Sequence, residues 1–214
     1  MNTDTEKLKD LYGAQYFKPE TNIAVQARED DLYYYKAFIG THHIEVEKGD
    51  CVYYLSDDKT TAFLKRGSET ILSKHFAVII RGYMPENKIS TIIHKTTLPY
   101  VNGCSTKQVF PPERPGDPTL QILNIPPFSS EQAHHIHATV RVVYVLSGKG
   151  RSVVGMGDHT IKEDLFPGKV VILQKFCPHH FETDDEHLRV LPLHVFSSTP
   201  LESNHPMFTG THMI

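Results

Sequence analysis

Three observations predict an all-β chain. Short β-branched and aromatic runs recur along most of the 214 residues, Gly, Asp, Asn and Pro separate them about every 8 to 12 residues, and one succession of runs occurs twice. Taken in order, the first fifteen residues are the exception. Leu8, Leu11 and Tyr12 recur at helical spacing behind the capping candidates Asp4 and Thr5, which predicts a short N-terminal helix. From about residue 30 the runs are CVYYL, TAFLK, FAVIIR, VRVVYVL, RSVVG, KVVIL and RVLPLHVF. The stretch from Cys51, CVYYLSDDKTTAFLKRGSETILSKHFAVIIRGYMPE, parallels the stretch from Val142, VVYVLSGKGRSVVGMGDHTIKEDLFPGKVVILQKFCPH. Leu55-Ser56 aligns with Leu146-Ser147, Thr70-Ile71 with Thr160-Ile161, and Met84-Pro85 with Cys177-Pro178, at an offset of about 91 residues that drifts to 93. Residues 107–118, KQVFPPERPGDP, are rich in proline and charge, as in a linker. The expected organisation is an arm over 1–30, a first barrel over 31–106, the linker, a second barrel over 119–198 and a tail over 199–214.

Composition narrows the function classes. With 39% apolar and 22% charged residues and a net charge of −3, the chain has the balance of a soluble protein and no general affinity for nucleic acid or acidic membranes. No DNA-binding helix pair is visible. The longest apolar runs, FAVII and VVYVL, are about five residues, far short of a membrane span. The opening MNTDTEKLKDLYG lacks the pattern of a secretory signal, and Cys51, Cys104 and Cys177 show no metal-type spacing, so a cytoplasmic setting is expected.

The unusual count is fourteen histidines, five of them in two clusters: His134, His135 and His137, then His179 and His180. Side chains alternate faces along a strand. In HHIHATVRVVYVLSGKG, one face carries His135, His137, Thr139, Arg141, Val143 and Val145, and the other is apolar from Ile136 to Leu146. A strand starting at His135 would hold its two inward imidazoles about 7 Å apart, near enough to share one ion. The run GKVVILQKFCPHHFET can bring a third from beyond a proline corner.

These two stretches resemble the two motifs of the cupin superfamily. In the first, H-x-H-x3-E-x6-G, His135, His137 and Gly148 match and Arg141 stands at the Glu position. In the second, G-x5-P-x-G-x2-H-x3-N, Gly168 and His179 match, while Gln174, Phe176 and Thr183 replace Pro, Gly and Asn. The resemblance implies double-stranded β-helix (jelly-roll) barrels, two in tandem, with a degenerate N-terminal one. It also implies a divalent metal held by His135, His137 and His179, with Fe(II) foremost among Fe, Ni, Mn, Zn and Cu. In the first barrel the aligned positions are Ile44, Val46, Asp50 and Glu86, which hold no metal. His134 and His180 are expected outward, and His194 is a candidate cavity residue of undecided facing.

Arg141 cannot ligate a metal. Either the centre is purely three-His, or a carboxylate arrives from elsewhere, with Glu131 the candidate. An inward Arg141 can pair with an anionic substrate group or neutralise a buried acid from a neighbouring strand. Three-His iron sites among cupins are similar to those of gentisate-type, β-diketone-cleaving and thiol dioxygenases. From the gentisate-type bicupins the chain departs in its shorter length and in the place of its arginine. The leading expectation is a three-His Fe(II) dioxygenase acting on a small anionic or enolisable substrate. The alternatives are an oxygen-independent Lewis-acid enzyme (isomerase, decarboxylase or lyase) and a non-catalytic small-molecule-binding barrel. A homodimer is a family-level expectation.

Overall fold

Almost every apolar run noted above becomes a strand in the structure, a computed structural model that describes residues 3–29, 31, 33–93, 95–114 and 116–196. The tail expected over 199–214 lies outside the described residues. In chain order the elements are α1 (Thr3–Tyr12), β1 (Ala14–Phe17), β2 (Ile23–Gln26), β3 (Tyr35–Ile39), β4 (His42–Val46), β5 (Asp50–Leu55), β6 (Thr61–Arg66), β7 (Glu69–Ser73), β8 (Phe76–Arg81), β9 (Lys88–Thr91), β10 (Leu98–Pro99), β11 (Ser105–Phe110), β12 (Thr119–Ile125), β13 (Arg141–Gly148), β14 (Gly150–Met156), β15 (His159–Leu165), β16 (Val170–Leu173), β17 (His179–Glu182) and β18 (Leu188–His194). Among the described residues no helix is long and apolar enough to cross a membrane.

The strands form two antiparallel units. The first is a six-stranded sheet, β2-β3-β8-β5-β6-β9, backed by the pair β4-β7. The second is a seven-stranded sheet, β1-β16-β13-β18-β12-β11-β10, facing the three-stranded sheet β15-β14-β17. Hydrophobic alternation explains the layering. In β13, Val142 and Tyr144 point outward into a core shared with the other unit, where Tyr144 stacks on Phe76 at 5.3 Å. Val143 and Val145 point inward into the second barrel with Leu123, Val171 and Val190. The two large sheets thus pack face to face, each apolar outer surface covering the other, while Phe38, Ile44, Val46 and Ile79 close the first barrel with a smaller apolar core.

The order β3-β8-β5-β6 in one sheet matches β12-β18-β13-β16 in the other. By register, Tyr35 corresponds to Leu120, Val52 to Val143, Lys65 to Val171 and Ile79 to Pro192. The offset therefore grows along the chain, and the constant one of about 91 holds only for β5 and β13. The hairpin β14-β15 has no counterpart in the first unit, so the alignment of Thr70-Ile71 with Thr160-Ile161 does not hold. Successive strand-turn-strand stretches look alike in sequence, and a linear match slides past a missing hairpin.

Other expectations shift for physical reasons. Residues 107–110 are not linker: they belong to β11, which pairs with β12 in the second unit. The arm does not stay with the first unit either. β1 crosses to pair with β16, covering what would be the open edge of the second sheet. The capping candidates Asp4 and Thr5 lie inside α1. Of its predicted stripe, Leu8 and Tyr12 reach the second barrel's core while Leu11 is exposed. Finally, β13 begins at Arg141, and His135 is held instead by an isolated bridge to His179.

Candidate metal centre

That bridge builds the centre. His135 N–H donates to the His179 carbonyl (3.1 Å) and His179 N–H donates back (2.9 Å), clamping the segment before β13 to the start of β17. Phe176 N–H donates to the His137 carbonyl (2.7 Å), fixing the third residue to the corner that leads into β17. One nitrogen from each of His135, His137 and His179 lies within 4.8 Å of the others, and no other such group of potential ligands occurs among the described residues. The Nε2 atoms of His135 and His137 are 2.9 Å apart.

Hydrogen bonding and burial prepare these rings as ligands. His135 Nδ1 sits 3.0 Å from the Ala133 carbonyl and His179 Nδ1 2.8 Å from the Cys177 carbonyl. A carbonyl only accepts, so each Nδ1 carries the proton and each Nε2 presents its lone pair to the site. Burial, reinforced by the Arg141 charge and the neighbouring imidazoles, pulls His137 down to about 2. Burial likewise brings His179 to about 3 against the raising effect of its Cys177 bond, and lowers His135. All three are neutral near pH 7. The 2.9 Å separation is close to that of two donors at right angles around an ion with bonds of about 2.1 Å. The donor set fits a divalent metal.

Around the triad lies a cavity of about 240 Å³. Arg141 lines it, buried at 3% exposure, and its guanidinium donates to Thr139 Oγ1 (2.7 Å) and the Thr139 carbonyl (3.2 Å). Burial lowers its pKa to about 9, so it remains a cation at neutral pH. His194 also faces the cavity, directly across the strand pair from Arg141 and 6.0 Å from the His137 ring, which decides the facing that its position in sequence left open. Burial holds it well below its ordinary value, and hence neutral. Glu131 lines the wall but stands apart from the nitrogen cluster. Its carboxylate accepts the Phe181 N–H, and burial raises it to about 8.

Gln108 and Gln121, which sequence reasoning missed, complete the lining. The available signal was the polar residue on the inward alternation of STKQVF and TLQILNI, but facing required the register. His134 and His180 lie outside the triad and meet each other at Nδ1, 2.8 Å apart. In the first unit Ile44 and Val46 are buried in apolar core, Asp50 pairs with Arg81 at 2.9 Å, and Glu86 pairs with Arg66 at the surface.

Phe176, which stands where the second cupin motif has a glycine, adopts φ 60°, a left-handed conformation unusual for a bulky residue. The retained glycine of the first motif, Gly148, has φ +78°, and a Cβ there would stand 1.8 Å from the His187 carbonyl oxygen.

No family model matches the chain, and no curated protein matches it in sequence. Among solved structures it is similar to a Pseudomonas aeruginosa protein described as glyoxylate-induced: 14% identity, 84% of this chain and 79% of that one, TM-score 0.55. A cupin 2 conserved barrel domain protein from Leptotrichia buccalis matches at 16% identity over 83% and 90% of the two chains, TM-score 0.48. Bacillus subtilis oxalate decarboxylase, which has Mn(II) centres, matches at 11% identity over 92% and 83%, TM-score 0.48. At these identities the likeness concerns fold alone. With the strand order described above, the chain has the cupin-type double-stranded β-helix fold.

Proposed function

We propose that this cupin-fold chain is a metal-dependent enzyme of the second barrel, a three-His Fe(II) dioxygenase for a small anionic or enolisable molecule. The observation that carries this reading is the donor set: three neutral imidazoles with no carboxylate among them, because Arg141 stands at the glutamate position and Glu131 lies outside the cluster. A neutral set leaves the full charge of the ion to its guest. Such an ion, when bound, supplies Lewis acidity and open positions for substrate and dioxygen. His135, His137 and His179 hold it. The backbone bonds to Ala133 and Cys177 keep two of the rings in the ligating tautomer. Arg141 supplies a buried positive charge that favours an anionic group in the cavity, and Val143, Leu173 and Phe181 add apolar lining.

Oxygen-electrode measurements on Fe(II)-loaded protein test this reading, using carboxylated phenols, diketones and thiols as the panel. Substrate-dependent oxygen uptake is expected, and turnover under strict anaerobiosis would reject it. One observation favours a second reading, oxygen-independent proton-transfer chemistry such as isomerisation or decarboxylation. Glu131 is a cavity carboxyl held near neutrality by burial, suited to exchanging a proton at its carboxylate oxygen with an enolisable substrate. The anaerobic experiment separates the two.

A further inference from the structure

The bridge that carries the triad has a second face. His134 and His180 each stand next in sequence to a triad histidine, yet neither lines the cavity. Their Nδ1 atoms meet 2.8 Å apart on the outside of the barrel, where His134 is exposed and His180 half-buried. The partners of the two far ring nitrogens decide what this contact can hold. His134 Nε2 is 2.6 Å from the Gly155 carbonyl on β14, and a carbonyl only accepts, so Nε2 carries the proton. His180 Nε2 faces the Glu182 carboxylate at 3.5 Å, and Arg151 (3.0 Å) and Lys162 (2.8 Å) hold that carboxylate in its ionised, accepting form. In the neutral state each ring therefore presents an Nδ1 lone pair at the contact. Two lone pairs so close repel, and the pair needs a cation, either a proton or a metal ion.

Two further observations point to the metal. A ligating imidazole characteristically donates its far N–H to a backbone carbonyl or a carboxylate, and here one ring has each kind of support. The spacing also suits an ion. Donors 2.8 Å apart subtend about a right angle at an ion with bonds of about 2.0 Å, whereas a tetrahedral ion would hold them about 3.3 Å apart. Right-angled nitrogen donors match the tetragonal geometry of Cu(II) and Ni(II), the divalent ions highest in the affinity order for imidazole sites. Among the described residues no third His, Cys, Asp or Glu joins the pair, so water fills the remaining positions from the exposed side.

We propose that His134 and His180 form a second, outer metal site, a two-imidazole chelate completed by water that takes Cu(II) or Ni(II). It lies across the His135–His179 bridge from the triad and ties the segment before β13 to β17 and, through Gly155, to β14. The assignment does not depend on the chemistry of the inner centre. Fe(II), lower in the affinity order, is expected at the triad alone.

Equilibrium dialysis of the chelator-treated full chain against Ni(II), with bound metal counted by mass spectrometry, tests the site. Wild type is expected to bind two ions per chain, and His134→Ala or His180→Gln one. The double variant His135→Ala/His137→Ala, which leaves a single triad imidazole, is expected to keep one ion at the outer pair. Adding His180→Gln or His134→Ala to that background should weaken its affinity at least tenfold. Loaded with Cu(II), the double variant should show the electron-spin signature of two coordinated imidazole nitrogens. One ion in wild type and none in the double variant would mean that the outer pair holds a shared proton only, and would overturn the proposal while leaving the triad intact. A second ion that persists in both His134→Ala and His180→Gln would overturn it as well. One ion in wild type and one in the double variant would uphold the outer site and reject the triad.

Discussion

Replacing Glu131 by glutamine should flatten part of the protein's pH–stability profile. Glu131 is buried at 5% exposure, and burial raises its carboxyl from 4.5 to about 8 despite the Phe181 N–H that favours the ionised form. For an acid whose folded-state pKa is raised, the folded state binds the extra proton between the two values. Stability is then fully present below 4.5 and falls as pH rises to about 8. The slope is about 1.4 kcal/mol per pH unit, and the full range amounts to a loss on the order of 5 kcal/mol. Glutamine keeps an oxygen for the Phe181 N–H and carries no charge. In chelator-treated protein, melting temperatures of wild type and Glu131→Gln should lie close together at pH 5. By pH 8.5 the variant should be higher by roughly 10 °C, at about 2–4 °C per kcal/mol for a chain of this size. Circular dichroism melts across this range measure the divergence. Parallel curves would refute the assignment of a buried, near-neutral carboxyl.

Other outcomes follow from the same geometry. Arg141→Lys keeps a positive charge but loses the planar fork, so KM for an anionic substrate should rise about tenfold or more while metal content stays at the wild-type level; unchanged KM would remove Arg141 from substrate binding. Phe176→Gly should relieve a left-handed conformation worth about 1–2 kcal/mol, offset by about 0.5–1 kcal/mol of glycine chain entropy. Because Phe176 is mostly exposed, a gain of a degree or two in Tm is expected, and a loss of several degrees would show that the ring packs productively.

What the sequence revealed followed from local periodicity. Alternation along VRVVYVL assigned Val142 and Tyr144 to one face and Val143 and Val145 to the other, and the structure buries them in two different cores. The motif spacing selected His135, His137 and His179, which the structure brings together. What stayed hidden depends on contacts between distant segments. The acceptor role of Glu131 arises from Phe181, fifty positions later in the chain. The cavity lining that joins Gln108, Gln121, His194 and Arg141 exists only once β11, β12, β18 and β13 are in register. The crossing of β1 to β16 answers an edge that cannot be seen before the sheet is assembled. Even within HHIHATVRVVYVLSGKG the break before Arg141 escaped notice, since an alternating run reads alike whether paired throughout or held at one bridge.

The central claim is that the three imidazoles form a metal centre, and metal analysis tests it most directly. Protein purified without chelator and reconstituted with Fe(II) should carry one ion per chain by mass spectrometry, and His179→Ala should carry essentially none. Removing the metal from wild type should lower stability by about 2.7 kcal/mol if the ion was present at a hundredfold its Kd, and should leave the variant's Tm unmoved. Wild-type protein that binds no more metal than His179→Ala, with identical Tm before and after chelation, would contradict the account.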